Sequence, residues 1–306
     1  MRILFLSVSA LALAACGQEA SAPQHDAPTA QEEAGDDTVP AVVSTNEATL
    51  DAILASQPED VQARYKYRNP KETLLFFGIE PGMTVVDTLP GTPWYSGLLM
   101  DYLGSDGTVV GADYSPAMWS LFGNFAPPEG SKDSWAAEWV ETASAWRDDD
   151  DDAQVAAFAY GNVPDEMAGS VDAILHMRSL HHLARLEDEG AFMTEALADM
   201  NKLLKPGGVV GVVAHRSPEG NADEWATGDN GYLKQSAVIA MFESAGFELT
   251  GQSEINANPK DQPTNEDFVW RLPPALATSR EDEELRASMI EIGESDRMTL
   301  LFRKPA

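Results

Sequence analysis

From residue 69 onward one pattern repeats: a short apolar run suited to a strand, then a stretch suited to a helix, then another run. Runs at 83–86, 108–112, 155–160, 171–175, 209–214, 247–249 and 298–302 are the strand candidates. Between them, Asn69-Pro70-Lys71-Glu72 reads as a helix start, with an Asn cap and Pro in the first turn. Residues 95–103 and 233–244 read as helices, and Ser115-Pro116 opens another. Over 187–204, Phe192, Ala196, Leu197, Met200 and Leu203 recur at helical spacing. Strands separated by helices pair side by side in parallel, because only a crossover returns the chain to the same end of the sheet. The expected fold class is therefore α/β, a mostly parallel sheet with helices on both faces, in one domain over 47–306. A ligand of such a sheet lies at the carboxyl ends of its strands.

The amino terminus has a different composition. Met1-Arg2 precedes an apolar run over 3–12, and Leu13-Ala14-Ala15 then precedes Cys16, the only cysteine. A basic start, a short apolar stretch and small residues describe a secretory signal, too short to span a membrane stably. Leu-Ala-Ala-Cys resembles the bacterial lipobox. That resemblance implies removal of residues 1–15 and lipid attached to Cys16, an anchor needing no transmembrane helix. Gly17 rather than Asp after the cysteine points to the periplasmic face of an outer membrane. The other reading is an ordinary amino terminus with a chance apolar run. Residues 16–46 are Gln, Glu, Asp, Ala and Pro with few large apolar side chains, so a disordered tether is expected there.

The chain carries 20 Lys and Arg against 50 Asp and Glu, a net charge of −30. Such a field repels phosphate backbones, which excludes nucleic acid as a partner. One cysteine excludes a disulfide scaffold and a cysteine-based zinc cluster. The five aspartates at 148–152 read as a solvated loop.

Several short motifs follow in order: Val85-Val86-Asp87 with a Gly-containing turn, Gly111-Ala112-Asp113, Val171-Asp172-Ala173-Ile174-Leu175, Leu180-His181-His182-Leu183, Leu204-Lys205-Pro206-Gly207-Gly208 and Ala245-Gly246-Phe247. Together they resemble the class I S-adenosylmethionine-dependent methyltransferases over nearly the whole domain. Pro90-Gly91-Thr92-Pro93-Trp94-Tyr95 and the ending 293–300 look like a bacterial group of exported methyltransferases. The resemblance implies a Rossmann-like seven-stranded sheet whose last strand, 298–302, is antiparallel, and it implies S-adenosylmethionine as cofactor.

It also implies roles. Asp87, Gly91 and Thr92 belong to the turn over the cofactor's methionine and ribose parts. Asp113 would hold the ribose hydroxyls, its alternative being to cap the helix opened by Ser115. Asn162 would read the adenine amino group, or serve only as a turn residue beside Gly161. Leu89 and Pro93 stand at the outer two of the three alternate positions where the family keeps glycine. Methyl transfer needs no metal, but an acceptor with a proton to lose needs a base. His176, His181, His182 and Tyr95 are the candidates, and the first histidine of Leu-His-His-Leu has packing as its alternative role. The acceptor is a small molecule or an envelope component. Export separates the chain from cytoplasmic S-adenosylmethionine, so a non-catalytic lipoprotein using the fold as a binding module is the alternative function. A third is different chemistry in the same cleft. The segment 254–296 is either a substrate cover or packing for the sheet edge.

Overall fold

The computed structural model describes residues 45–91, 94–147 and 151–306. Eight strands form the sheet: β1 Thr84–Thr88, β2 Thr108–Asp113, β3 Gln154–Ala159, β4 Val171–Met177, β5 Leu204–Ser217, β6 Leu233–Lys234, β7 Glu248–Ser253 and β8 Arg297–Arg303. Their order is β3-β2-β1-β4-β5-β8-β7, with the two-residue β6 paired to the far end of β5. Neighbours from β3 to β5 are all parallel. β8 is antiparallel to both β5 and β7. The expected parallel sheet with one reversed final strand is thus present, and the short β6 is an addition.

The apolar runs have a simple cause. Consecutive residues of a strand point to opposite faces, and a sheet covered on both faces needs both sets apolar. Val86, Val110, Ile174, Val210 and Phe302 join one core cluster with the helices Phe192–Leu203 and Gln235–Ser244. Their neighbours Val85, Val109, Ala173 and Val209 face the other way, with Leu50, Leu74, Phe77, Leu98 and Leu99. Two glycines let helices approach closely. A Cβ on Gly111 would lie 2.7 Å from the Trp139 ring of the helix Trp135–Ser144, and one on Gly211 would lie 2.5 Å from Phe77.

Two local expectations are corrected. Asn69 does not cap the helix Pro70–Phe76 with its side chain. It already ends the short helix Tyr65–Arg68 in a left-handed conformation, φ 39°, and its amide donates to the Ile255 carbonyl, 2.8 Å. The helix expected over 187–204 breaks at Ala191, φ 54°, into Glu187–Gly190 and Phe192–Leu203. The Glu187 carboxylate accepts from the Met193 and Thr194 backbone N–H groups, at 2.8 and 3.2 Å, donors that a helix start leaves open. The signal at 1–15, Cys16, the tether up to residue 44, Thr92, Pro93 and residues 148–150 of the aspartate run lie outside the described residues; the last two residues assigned to the tether instead open the helix Thr45–Ser56. Among the described residues no helix is long and apolar enough to cross a membrane.

Candidate functional site

In this strand order the connections diverge on either side of β1, which leaves a crevice at its carboxyl end. The turn after β1 begins there. Leu89 takes a left-handed backbone, φ 57°, and Gly91 another, φ 49°. The Leu89 N–H donates to the Ala112 carbonyl at the end of β2, 2.7 Å. The Leu89 side chain packs against the core cluster around Val86 and Val110. The position expected to suffer from a branched side chain therefore keeps the glycine-like conformation, at a cost of roughly 1–2 kcal/mol.

Asp87, one residue before the end of β1, is buried and accepts a 2.6 Å hydrogen bond from Ser96 Oγ on the helix Trp94–Leu103. Burial pushes its carboxyl up to about 6, against the Ser96 bond and the nearby Arg178 charge. Asp87 ties the helix after the turn to β1.

Asp113 ends β2 and is 2% exposed. One oxygen, Oδ1, accepts from the Tyr114 backbone N–H at 2.8 Å and the Trp119 indole N–H at 3.0 Å. Oδ2 accepts from Lys132 Nζ at 2.7 Å. The alternative role of capping is filled by Ser115 itself, which accepts from the Met118 N–H at 3.2 Å. A carboxylate oxygen has two lone pairs. Oδ1 is full and Oδ2 keeps one place, so the ribose role needs Lys132 or Trp119 to yield for a second hydroxyl. Asn162 is exposed at the end of β3, and its side chain makes no hydrogen bond with a described residue. An open cavity of about 650 Å³ runs from Ser115 past Lys132 to Tyr160 and Asn162; it reaches Asn162 and the Lys132 partner of Asp113, while Asp113 itself lies outside its lining.

The histidines divide. His176, in β4, is fully buried: its Nε2 lies 3.1 Å from the Tyr160 hydroxyl and its Nδ1 3.1 Å from Ser179 Oγ. Thr88 Oγ1 closes the network on Tyr160 at 3.0 Å. Burial pushes His176 down to about 3, so it is neutral and fully engaged in joining three strand ends. His182 lies tilted against Phe122 at 5.2 Å and meets the Tyr114 ring edge-on at 5.9 Å; burial and Arg185 push it down to about 4. His181 is buried, and neither ring nitrogen has a partner among the described residues. Burial first, then His182 and His215, hold its pKa well below the usual histidine value. Its ring lies 5.5 Å from His215 and 5.9 Å from Trp270. Gly228, φ 104°, brings a loop against this helix, where a Cβ would lie 2.5 Å from the His181 carbonyl oxygen.

Trp270 belongs to the 254–296 segment, which is folded. Val269 donates its N–H to Asn230, 2.9 Å, and buried Asp261 pairs with Arg271, 2.9 Å. The segment therefore packs on the chain around it, with Trp270 beside His181. Tyr95 is buried, and burial raises its hydroxyl pKa against the pull of Arg178 and Arg68. Asp113 and Asn162 thus come together on the β2–β3 side, while Asp87 and Tyr95 lie near Arg178 on the β4 side. Trp119, Lys132, Tyr160, Arg178 and His215 were not anticipated. Arg178, three residues past the strand candidate 171–175, carried the one usable signal.

Neither a family model nor a curated relative matches the sequence. Solved structures do match in shape. A chain of the complex between the Haloferax volcanii Trm112 methyltransferase activator and the putative methyltransferase is 20% identical, with TM-score 0.47, over 84% of this chain and 98% of that one. A SAM-dependent methyltransferase from Aquifex aeolicus is 20% identical, TM-score 0.44, over 68% and 93%. Geranyl diphosphate C-methyltransferase from Streptomyces coelicolor is 14% identical, TM-score 0.45, over 83% and 87%.

Proposed function

We propose that the chain is an S-adenosylmethionine-dependent methyltransferase acting on a small-molecule or envelope acceptor. One observation carries the reading: the left-handed turn after β1 and the buried Asp113 carboxylate, with one open lone pair, stand at the ends of adjacent strands, and the free Asn162 amide lines a cavity just past the end of the next strand. The residues fit the cofactor with one rearrangement, the release of Lys132 or Trp119 from Asp113. Asp113 and Asn162 would hold its ribose and adenine, and the turn at Leu89–Gly91 its methionine part. Bound there, it supplies a methyl group already activated on a sulfonium, so the chain's own work is alignment and exclusion of water. The segment around Trp270 excludes water. His181, neutral and buried with neither ring nitrogen partnered among the described residues, has one nitrogen to take a proton from the acceptor.

Occupation of three of the four lone pairs of Asp113 by the chain's own donors favours a second reading, a binding module that no longer takes the cofactor. Calorimetry of the full chain with S-adenosylhomocysteine separates the two. The enzyme reading expects a dissociation constant of about 10⁻⁴ M, or −5 to −6 kcal/mol. Asp113→Ala should weaken it about thirtyfold, roughly 2 kcal/mol for a charged hydrogen bond. No heat with the wild-type chain leaves the binding module.

We further propose export and lipid attachment at Cys16, supported by Leu13-Ala14-Ala15-Cys16. Cys16→Ser should abolish acyl labelling and partitioning into detergent, and unchanged labelling would defeat the idea.

A further inference from the structure

On the β4 side of the crevice, four arginines come together from distant parts of the chain. Arg64 and Arg68 come from the helical turns before the sheet, Arg178 from the end of β4 and Arg297 from the start of β8. One carboxylate sits buried among them, Glu294, paired with Arg64 and Arg297. Arg297 also donates to the Tyr67 carbonyl, 3.0 Å. Arg64 and Arg297 are thereby partnered.

Arg178 and Arg68 are not. The Arg178 side chain makes no hydrogen bond or ion pair with any described residue, although its backbone is held firmly. Its N–H donates to the Val213 carbonyl at 2.7 Å, and its φ is 64°. Arg68 lies over the Trp94 ring at 4.4 Å, and its Nε is buried without a partner among the described residues. Burial and the other guanidiniums push Arg68 down to about 9 and Arg178 to about 10, a sign that each charge is poorly compensated. Both remain charged at neutral pH. Asp87 also acts on Arg178, but it is already engaged with Ser96.

In a chain of 20 basic and 50 acidic residues, a cluster in which guanidiniums outnumber carboxylates is not an accident of composition. Arg178 and Arg68 are half-buried, so each unpaired charge loses part of its hydration, and a left-handed backbone adds strain at Arg178. A planar guanidinium with free donors matches a carboxylate or phosphate in two parallel hydrogen bonds. We propose that Arg178 and Arg68 form a subsite for a carboxylate or phosphate group borne by the molecule on which the crevice acts. Calling that molecule a methyl acceptor rests on the function proposed above; the anion subsite itself does not.

The test is calorimetry of the full chain in low-chloride buffer with inorganic phosphate and, separately, succinate. One site per chain is expected, with the better ligand naming the anion class. Arg178→Met should weaken binding at least tenfold, and Arg68→Met should weaken it too. The exposed Arg280→Met should change nothing. Removing an unpaired charge should leave the Arg178→Met melting temperature equal or higher, and Arg68→Met serves should that chain fail to fold. Each titration is repeated with saturating S-adenosylhomocysteine. Binding that persists supports an acceptor subsite. Binding abolished by S-adenosylhomocysteine overturns it, because the arginines then serve the cofactor's own carboxylate. Absence of binding by either anion, or equal binding by both arginine variants, also overturns it. Anion binding without any S-adenosylhomocysteine binding keeps the subsite and removes only the methyl-transfer reading.

Discussion

Asp113 shows how one side chain can serve a ligand site and hold its surroundings together. Its carboxylate is the shared acceptor for Lys132, the Trp119 indole and the Tyr114 backbone. Asp113→Ala leaves those donors without it, in a place where the Lys132 side chain is only 22% exposed. Stability should fall by about 2–4 kcal/mol, read as a lower urea midpoint at unchanged slope. Asp87 acts through pH. Its folded pKa of about 6 lies above the ordinary 3.8, so the unfolded chain releases its proton first as pH rises. Its penalty is absent below about pH 4, grows through pH 6, and reaches about 2–3 kcal/mol near pH 7. Arg178 and Tyr95 are the charged or titratable groups coupled to it. Asp87→Asn should therefore gain stability relative to wild type as pH rises from 4.5 to 7.5. An unchanged difference across that range would refute the buried-acid account.

Elements here are placed by contacts too close for a side chain. The helix Trp135–Ser144 covers β2 and β3 by laying Trp139 over Gly111, where a Cβ would lie 2.7 Å from the ring. Gly111→Ala should cost about 1–3 kcal/mol by overpacking, measured by denaturant unfolding. Gly111→Ala with Trp139→Leu should cost less than the sum of the two single changes, because both act on one contact. The two short helices at 187–203 illustrate the opposite case. The apolar spacing begins only at Phe192, and the acidic turn Glu187–Gly190 buries no side chain. Periodicity reports which face is buried and is silent over a polar turn, so it does not show where the helix is interrupted. The Asn69 cap was misread for a similar reason, since the short helix before it takes the residue as its own end.

For the whole molecule, a net charge of −30 sets a repulsive background that folding concentrates. Screening should raise the melting temperature by several degrees between about 10 and 300 mM sodium chloride, as the screening length falls from about 30 to below 10 Å. Scanning calorimetry checks this, and the same rise in Arg178→Met would separate general screening from anion binding at the arginines. Against that background, five basic groups still gather around the crevice: Lys132 on Asp113, and the four arginines at its other side.

The sequence by itself determined the α/β class, the positions of the strands and the location of Asp87, Asp113 and Asn162 near strand ends. Those facts are local: an apolar run buried on both faces is visible in the run itself, and strand ends follow from it. Only the tertiary structure decided which groups meet. Lys132 reaches Asp113 from 19 residues away, and Glu294 reaches Arg64 across 230. Electrostatic and hydrogen-bonding partners act through space and leave no period along the chain, so Arg64, Arg68, Arg178 and Arg297 read singly as ordinary charged residues. The crossovers that place the end of β4 and the start of β8 on either side of β5 make them a cluster. The same folding encloses His176 with Tyr160, Thr88 and Ser179 and leaves His181 open, a difference in surroundings that two histidines five residues apart could not disclose.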